Sequence, residues 1–177
     1  KAAGEFILTT NHHKDYTLRS EEQKEFPIAD YKGKITFEPG YPATIQPVEF
    51  TKLQWLTEST NPDIIYFSGT AKYAVSFSFP VDQLGKADSI LLDIGKFESI
   101  ADVRLNGKPL GPIWKTGTYL PVKGILGRDN TLEVSVANTF RNRFIGDYIQ
   151  YGKIQNLWTS APISDFLNKD LPLSPSG

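Results

Sequence analysis

The clearest pattern of apolar and polar positions runs through the segment IADVRLNG. Ala101, Val103 and Leu105 face one way and their polar neighbours face the other, as in a strand with one buried and one solvated face. The Asn-Gly pair at 106–107 favours a two-residue turn between paired strands more strongly than other dipeptides. The segment Ile100–Trp114 therefore predicts a β-hairpin.

The same period of two recurs in other parts of the chain. It predicts strands over Lys72–Pro80, Ser89–Gly95 and Thr131–Ala137, and a further hairpin from Glu5–Thr10 and Tyr16–Leu18 around a polar loop. Short alternating strands separated by Gly- and Asn-rich turns are typical of an all-β sandwich. We therefore predict that fold class.

Helical patterns are weak throughout. The proline-rich stretch Tyr31–Asp63 opposes continuous helix and predicts connecting chain with short strands. No 10-residue stretch has helical periodicity, and only Phe50–Glu58 and Ile163–Asn168 allow a helical turn or two. We expect helices to contribute little to the fold.

Composition and charge argue against nucleic-acid and membrane partners. With 177 residues the chain is long enough for one stable core, and its 19 basic and 20 acidic residues give a net charge of -1 without a basic patch for nucleic acid. No apolar run approaches the roughly 20 residues that cross a bilayer, so no membrane partner is predicted. The sequence has no Cys and no Met, and we interpret it as a piece of a longer polypeptide.

Catalytic and metal-binding motifs are missing from the sequence. His12 and His13 are its two histidines and fall in the predicted polar loop, without a nucleophile or a third metal ligand nearby. A glycosidase needs two carboxylates roughly 5 to 10 Å apart across a cleft, whereas Asp93, Asp102 and Glu133 are predicted on solvated strand faces. We assign no catalytic residue, no metal ligand and no cofactor.

Two segments carry the residue types that bind sugars, which are aromatic platforms and groups that fork onto hydroxyls. Trp114 and Tyr119 flank Gly117. A polar run at 138–147 follows the last predicted strand. We take as candidate carbohydrate-binding residues Trp114, Tyr119, Arg141, Asn142 and Arg143. The alternative is that the aromatics pack in the core or an interface and that the arginines pair with Asp147 to hold the tail.

Four motifs together resemble the galactose-binding-like jelly-roll β-sandwich of glycoside hydrolases. They are FSGTAKY at 67–73, VRLNG at 103–107, NTLEVSV at 130–136 and NTFRNRFIGD at 138–147. The sugar-binding domain of family 2 shares much of this pattern. The C-terminal domain of family 106 α-L-rhamnosidase-like enzymes is more similar, and the resemblance covers about 34–177.

The resemblance implies a jelly-roll sandwich over 31–177, preceded by N-terminal strands at 1–30 that end a neighbouring domain. It implies a non-catalytic accessory domain of a bacterial glycoside hydrolase that packs on the catalytic barrel, contacts polysaccharide and is periplasmic or extracellular. The alternative function is an autonomous carbohydrate-binding module. Some domains of this type hold a structural Ca²⁺, but the sequence has no clustered Asp/Asn ligand loop to support one.

Overall fold

The computed structural model describes residues 4–20, 23–28, 31–38, 44–156 and 170–177. These ranges contain three helices, a 3₁₀ turn at Leu56–Glu58 and ten strands. The helices are α1 (Pro62–Ile65), α2 (Val81–Leu84) and α3 (Arg141–Tyr151). The strands are β1 (Gly4–Thr9), β2 (Asp15–Ser20), β3 (Lys32–Phe37), β4 (Val48–Phe50), β5 (Thr70–Ser78), β6 (Leu91–Leu92), β7 (Ile100–Leu105), β8 (Lys108–Ile113), β9 (Leu120–Pro121) and β10 (Asp129–Ala137).

Six of these strands form one antiparallel sheet in the order β4-β3-β5-β10-β7-β8. Along β5, buried and exposed residues alternate without a break, so Ala71, Tyr73, Val75 and Phe77 all face inward. The central strands β5 and β10 pair over nine residues, which aligns their inward-facing side chains. The alternation predicted for 72–80 and 131–137 is therefore confirmed as the middle of the sheet.

The hairpin predicted at 100–114 is confirmed as β7 and β8, which span 100–113. Asn106 and Gly107 have φ of 53° and 75°, the positive values that a type I′ turn requires. The side-chain Nδ2 of Asn106 donates to Ile125 O at 3.0 Å and to Asn130 Oδ1 at 2.9 Å. Its side-chain Oδ1 accepts from Thr131 N at 2.9 Å. Asn106 thus both forms the turn and ties it to the chain that enters β10.

A thinner second layer covers the inner face of the sheet. The β6–β9 pair and the turn after it contribute Leu120 and Val122, and the short helical segments contribute Leu56 and Ile64. These side chains join one apolar core with the inward-facing residues of the sheet, including the fully buried Val103. The fold is an all-β sandwich, as predicted, with the main sheet as its larger layer.

The predictions for the remaining chain have different outcomes. Only Leu91–Leu92 of the strand predicted at 89–95 pairs with another strand, so that prediction is met only in part. The proline-rich stretch supplies β3 and β4 to the main sheet, which confirms the short strands predicted there. The predicted helical turn at 163–168 lies outside the described residues.

The chain after β10 corrects the expectation of little helix. α3 runs for 11 residues and buries apolar and polar side chains together, including Phe144 and Ile145. Its inward face carries the polar side chains of Asn142, Arg143 and Asp147, each 3–4% exposed. Helix prediction depends on apolar spacing, and the polar groups that α3 buries beside Phe144 and Ile145 obscure that spacing. No helix among the described residues is long and apolar enough to cross a membrane.

Burial of Tyr73 makes the stability of the fold depend on pH at alkaline values. Its ring is 7% exposed and meets Phe50 edge to face, and burial raises the pKa of its hydroxyl to about 12 from 10.0. The folded state then keeps a proton that the unfolded state loses, so the stability linked to Tyr73 is present below pH 10 and falls as the pH rises towards 12.

We expect wild-type protein to lose about 1 kcal/mol more unfolding free energy than Tyr73→Phe between pH 9 and pH 11. Urea denaturation at a series of pH values measures this difference. Tyr151→Phe is the matched control at an exposed position, and its loss should equal that of wild type. Equal losses for wild type and Tyr73→Phe would contradict burial as the cause.

Candidate functional site

The two segments with sugar-binding residue types meet at the same end of the main sheet. β10 ends at Ala137, opposite Ile100, and β8 ends at Ile113, opposite Ala101. Trp114 and the start of the polar run therefore leave the sheet at one end, separated by β7, with a backbone spacing of roughly 10 Å. We call this end of the sheet the rim.

A tight turn at the rim presents the two aromatic residues. Lys115 O accepts hydrogen bonds from Thr118 N at 3.3 Å and from Thr118 Oγ1 at 2.7 Å. Gly117 has a φ of 80°, which the third position of a type II turn requires. Trp114 before the turn is 76% exposed, and Tyr119 after it is 48% exposed. About half or more of each side chain is therefore exposed to solvent.

Asn142, in the first turn of α3, holds the end of the chain. Its Nδ2 donates to Ser174 O at 2.7 Å, and its Oδ1 accepts from Ser174 N at 2.9 Å. Arg141 donates to Pro172 O at 3.1 Å, and Asn138 Oδ1 accepts from Gly177 N at 3.1 Å. The polar run thus binds the backbone of residues 172–177, which we call the terminal segment.

Arg143 and Asp147 form a buried ion pair one helical turn apart. Arg143 Nε lies 3.7 Å from Asp147 Oδ2, and both side chains are about 5% exposed or less. Gln155 closes the arrangement, since its backbone N–H donates to Asp147 at 3.0 Å and its carbonyl accepts from Arg143 at 2.9 Å. These two charged groups therefore fold the chain after α3 back onto the helix.

The predicted site residues divide into two groups in the structure. Trp114 and Tyr119 are exposed at the rim, whereas Arg141, Asn142 and Arg143 direct donors to backbone carbonyls of the same chain. Carbohydrate binding by these five residues stays a prediction. Sequence reasoning missed the terminal segment as the partner of Asn142, because Ser174 lies 32 residues further along the chain and no local pattern marks such a contact.

Carboxylates elsewhere in the described residues make ordinary surface contacts. Asp102 lies 3.9 Å from Arg104 on the outer face of the sheet, and Asp93 accepts from Gly95 N at 2.8 Å. Ion pairs lower the pKa of Glu38 and Asp82, a direction opposite to that of a general acid. Within the described ranges, no three His, Asp or Glu side chains gather as metal ligands.

Asn142→Ala should release the terminal segment and destabilise the fold. The substitution removes both bonds to Ser174 and leaves part-buried backbone groups without these partners, at a cost of about 2 kcal/mol. Urea denaturation measures this loss, and hydrogen exchange at Ser174 should accelerate at least tenfold. Gln150→Ala, which truncates an exposed amide on the same helix, should change neither quantity. Similar behaviour of the two variants would contradict the assignment.

No family model matches the sequence. Among solved structures, a rhamnosidase from Novosphingobium sp. PP1Y aligns with 92% of this chain at 33% identity and a TM-score of 0.74. A putative β-glucuronidase from Formosa agariphila is 41% identical over 105 residues, which are 59% of this chain. A β-D-glucuronidase from Dictyoglomus thermophilum covers 66% of this chain and 21% of its own at 15% identity and a TM-score of 0.49, too weak a likeness to carry an argument.

The chain corresponds to only a small part of these proteins. It covers 15% of the Novosphingobium rhamnosidase and 9% of the Formosa protein. The proteins similar to this chain are thus glycoside hydrolases several times its length. The β-sandwich described here matches one region within such a protein.

Proposed function

We propose that this chain is a non-catalytic accessory domain of a longer, α-L-rhamnosidase-like glycoside hydrolase. The alignment of 92% of the chain with 15% of a rhamnosidase carries this proposal. A region of that size is one domain of the larger protein, and its partner is the catalytic domain of the same polypeptide. By the same analogy the protein acts in the periplasm or outside the cell.

The chemistry of the described residues supports a non-catalytic role. Glycoside hydrolysis uses a carboxylic acid whose pKa is raised and a second carboxylate at a defined distance across a cleft. The buried carboxylate Asp147 is instead engaged by Arg143 and the backbone of Gln155. Asp102 and Glu133 project from the outer face of the sheet rather than into a cleft.

An autonomous carbohydrate-binding module is the second candidate function. The exposure of Trp114, 76%, and its position beside Tyr119 favour it, because exposed aromatic rings stack on the C–H faces of sugars. In this alternative the domain binds sugar by itself, whereas the accessory domain needs the catalytic domain to complete the cleft. The two candidates therefore differ in what the isolated chain can bind.

The accessory role predicts a division of activity between two protein samples. The polypeptide encoded by the complete gene should hydrolyse aryl α-L-rhamnosides, and the 177-residue chain should show no turnover above the buffer rate. The chain should also give no heat or Trp fluorescence change with rhamnose- and galactose-containing oligosaccharides at millimolar concentration. Turnover by the chain alone would overturn the proposal, and saturable binding by it would favour the module.

Trp114→Ala tests whether the rim contacts polysaccharide in the complete polypeptide. We expect KM for a rhamnose-containing polysaccharide to rise at least threefold, since stacking of one sugar on an aromatic ring contributes about 1 kcal/mol. KM and kcat for a small aryl rhamnoside should stay unchanged because that substrate does not reach the rim. Tyr151→Ala, which removes an exposed ring at the far end of α3, should affect neither substrate. Equal effects of Trp114→Ala on both substrates would contradict a contact at the rim.

A further inference from the structure

The N-terminal hairpin has one apolar face that nothing in the described structure covers. In the register of β1 and β2, Phe6 lies opposite Leu18 and Leu8 lies opposite Tyr16. The two residues of each strand lie two positions apart, so all four side chains share one face of the hairpin. Their exposed fractions are 52–60%. We call this surface the hairpin face.

The opposite face of the hairpin is mostly polar and charged. Arg19 Nε lies 3.2 Å from Glu5 Oε1, and Thr9 Oγ1 donates to Asp15 Oδ1 at 2.6 Å. Ile7 is the large aliphatic residue of this face, opposite Thr17. The contrast between the two faces is the pattern of an amphipathic ribbon that lies against another surface.

A two-stranded ribbon is at best marginally stable in water without such packing. Among the described strands, β1 and β2 pair only with each other and join neither of the other sheets. Four neighbouring large apolar side chains on an isolated ribbon also form the kind of exposed patch that marks an interaction surface. The hairpin face therefore needs an occupant.

We propose that the hairpin face docks against the domain that precedes this one in the longer polypeptide, an inference that rests on the proposed function. β1 is the first element of the described chain, so a domain that precedes it in the polypeptide would be attached on the side of the hairpin. This neighbour would present an apolar surface to Phe6, Leu8, Tyr16 and Leu18 and leave the charged face in solvent.

The size of the patch favours a tethered occupant over a freely diffusing one. Four half-exposed side chains of these types offer about 400 Å², whereas a stable complex between separate proteins buries roughly 800 Å² on each partner. A covalent tether supplies an effective concentration in the millimolar range, so a small contact is then sufficient. A second copy of this chain or a separate protein would need more surface than the hairpin face provides.

Hydrogen exchange tests the proposal in two samples, the polypeptide encoded by the complete gene and the 177-residue chain. Backbone amides of β1 and β2 should exchange at least tenfold more slowly in the complete polypeptide, because the docked domain suppresses opening of the hairpin. Leu8→Ser in the complete polypeptide should remove most of this protection. Ile7→Ser is the matched control, an exposed aliphatic residue next in sequence but on the opposite face, and should retain the protection.

Equal exchange in the two samples would overturn the proposal, as would equal effects of Leu8→Ser and Ile7→Ser. A dimer of the 177-residue chain that Leu8→Ser dissociates would also overturn it, since a second copy would then be the occupant. Aryl rhamnoside hydrolysis by the same complete polypeptide tests the proposed function separately. A protected hairpin in a protein without that activity would overturn the function and keep the docking.

Discussion

The central antiparallel pair of β5 and β10 is the constraint on which the rest of this structure depends. Both strands are nine residues long, and their register places Ala71, Tyr73 and Val75 in line with Val136, Val134 and Leu132. A slip of one residue would turn every one of these side chains to the solvated face, so burial of one face locks the register. That register also decides where β10 stops, and hence where the rim lies and where α3 begins.

The polar residues that follow β10 hold parts of the same chain together through contacts of the kind that a ligand-binding site makes. Asn142 makes the paired donor and acceptor contacts expected for a ligand amide, but its partner is the backbone at Ser174. Arg143 and Asp147 likewise engage each other and Gln155. Burial explains both arrangements, because an unpaired polar group inside a protein is costly and the nearest available partners are backbone groups. Trp114 and Tyr119, in contrast, are 76% and 48% exposed at the same rim.

The unequal layers of the sandwich fit a domain that works beside others. One broad sheet carries the core, while a two-stranded ladder and short helical segments cover it. The N-terminal hairpin adds an apolar surface with no described neighbour, and the rim adds exposed aromatics. A domain with two such surfaces can contact a neighbouring domain through one and an extended substrate through the other. This division of surfaces is consistent with the small share of a glycoside hydrolase that the chain matches.

Local patterns in the sequence determined the strands at 72–80 and 131–137, the Asn106-Gly107 hairpin and the sandwich class, because alternation and turn geometry are properties of neighbouring residues. They also placed the N-terminal hairpin. Only the tertiary structure decided that residues 141–151 are helical, since that helix buries the polar Asn142, Arg143 and Asp147 alongside Phe144 and Ile145. The same holds for the candidate site, where the contacts of Asn142 and Asn138 span 32 and 39 residues. Such contacts form when the folded sheet brings distant segments together, and no spacing along the chain encodes them.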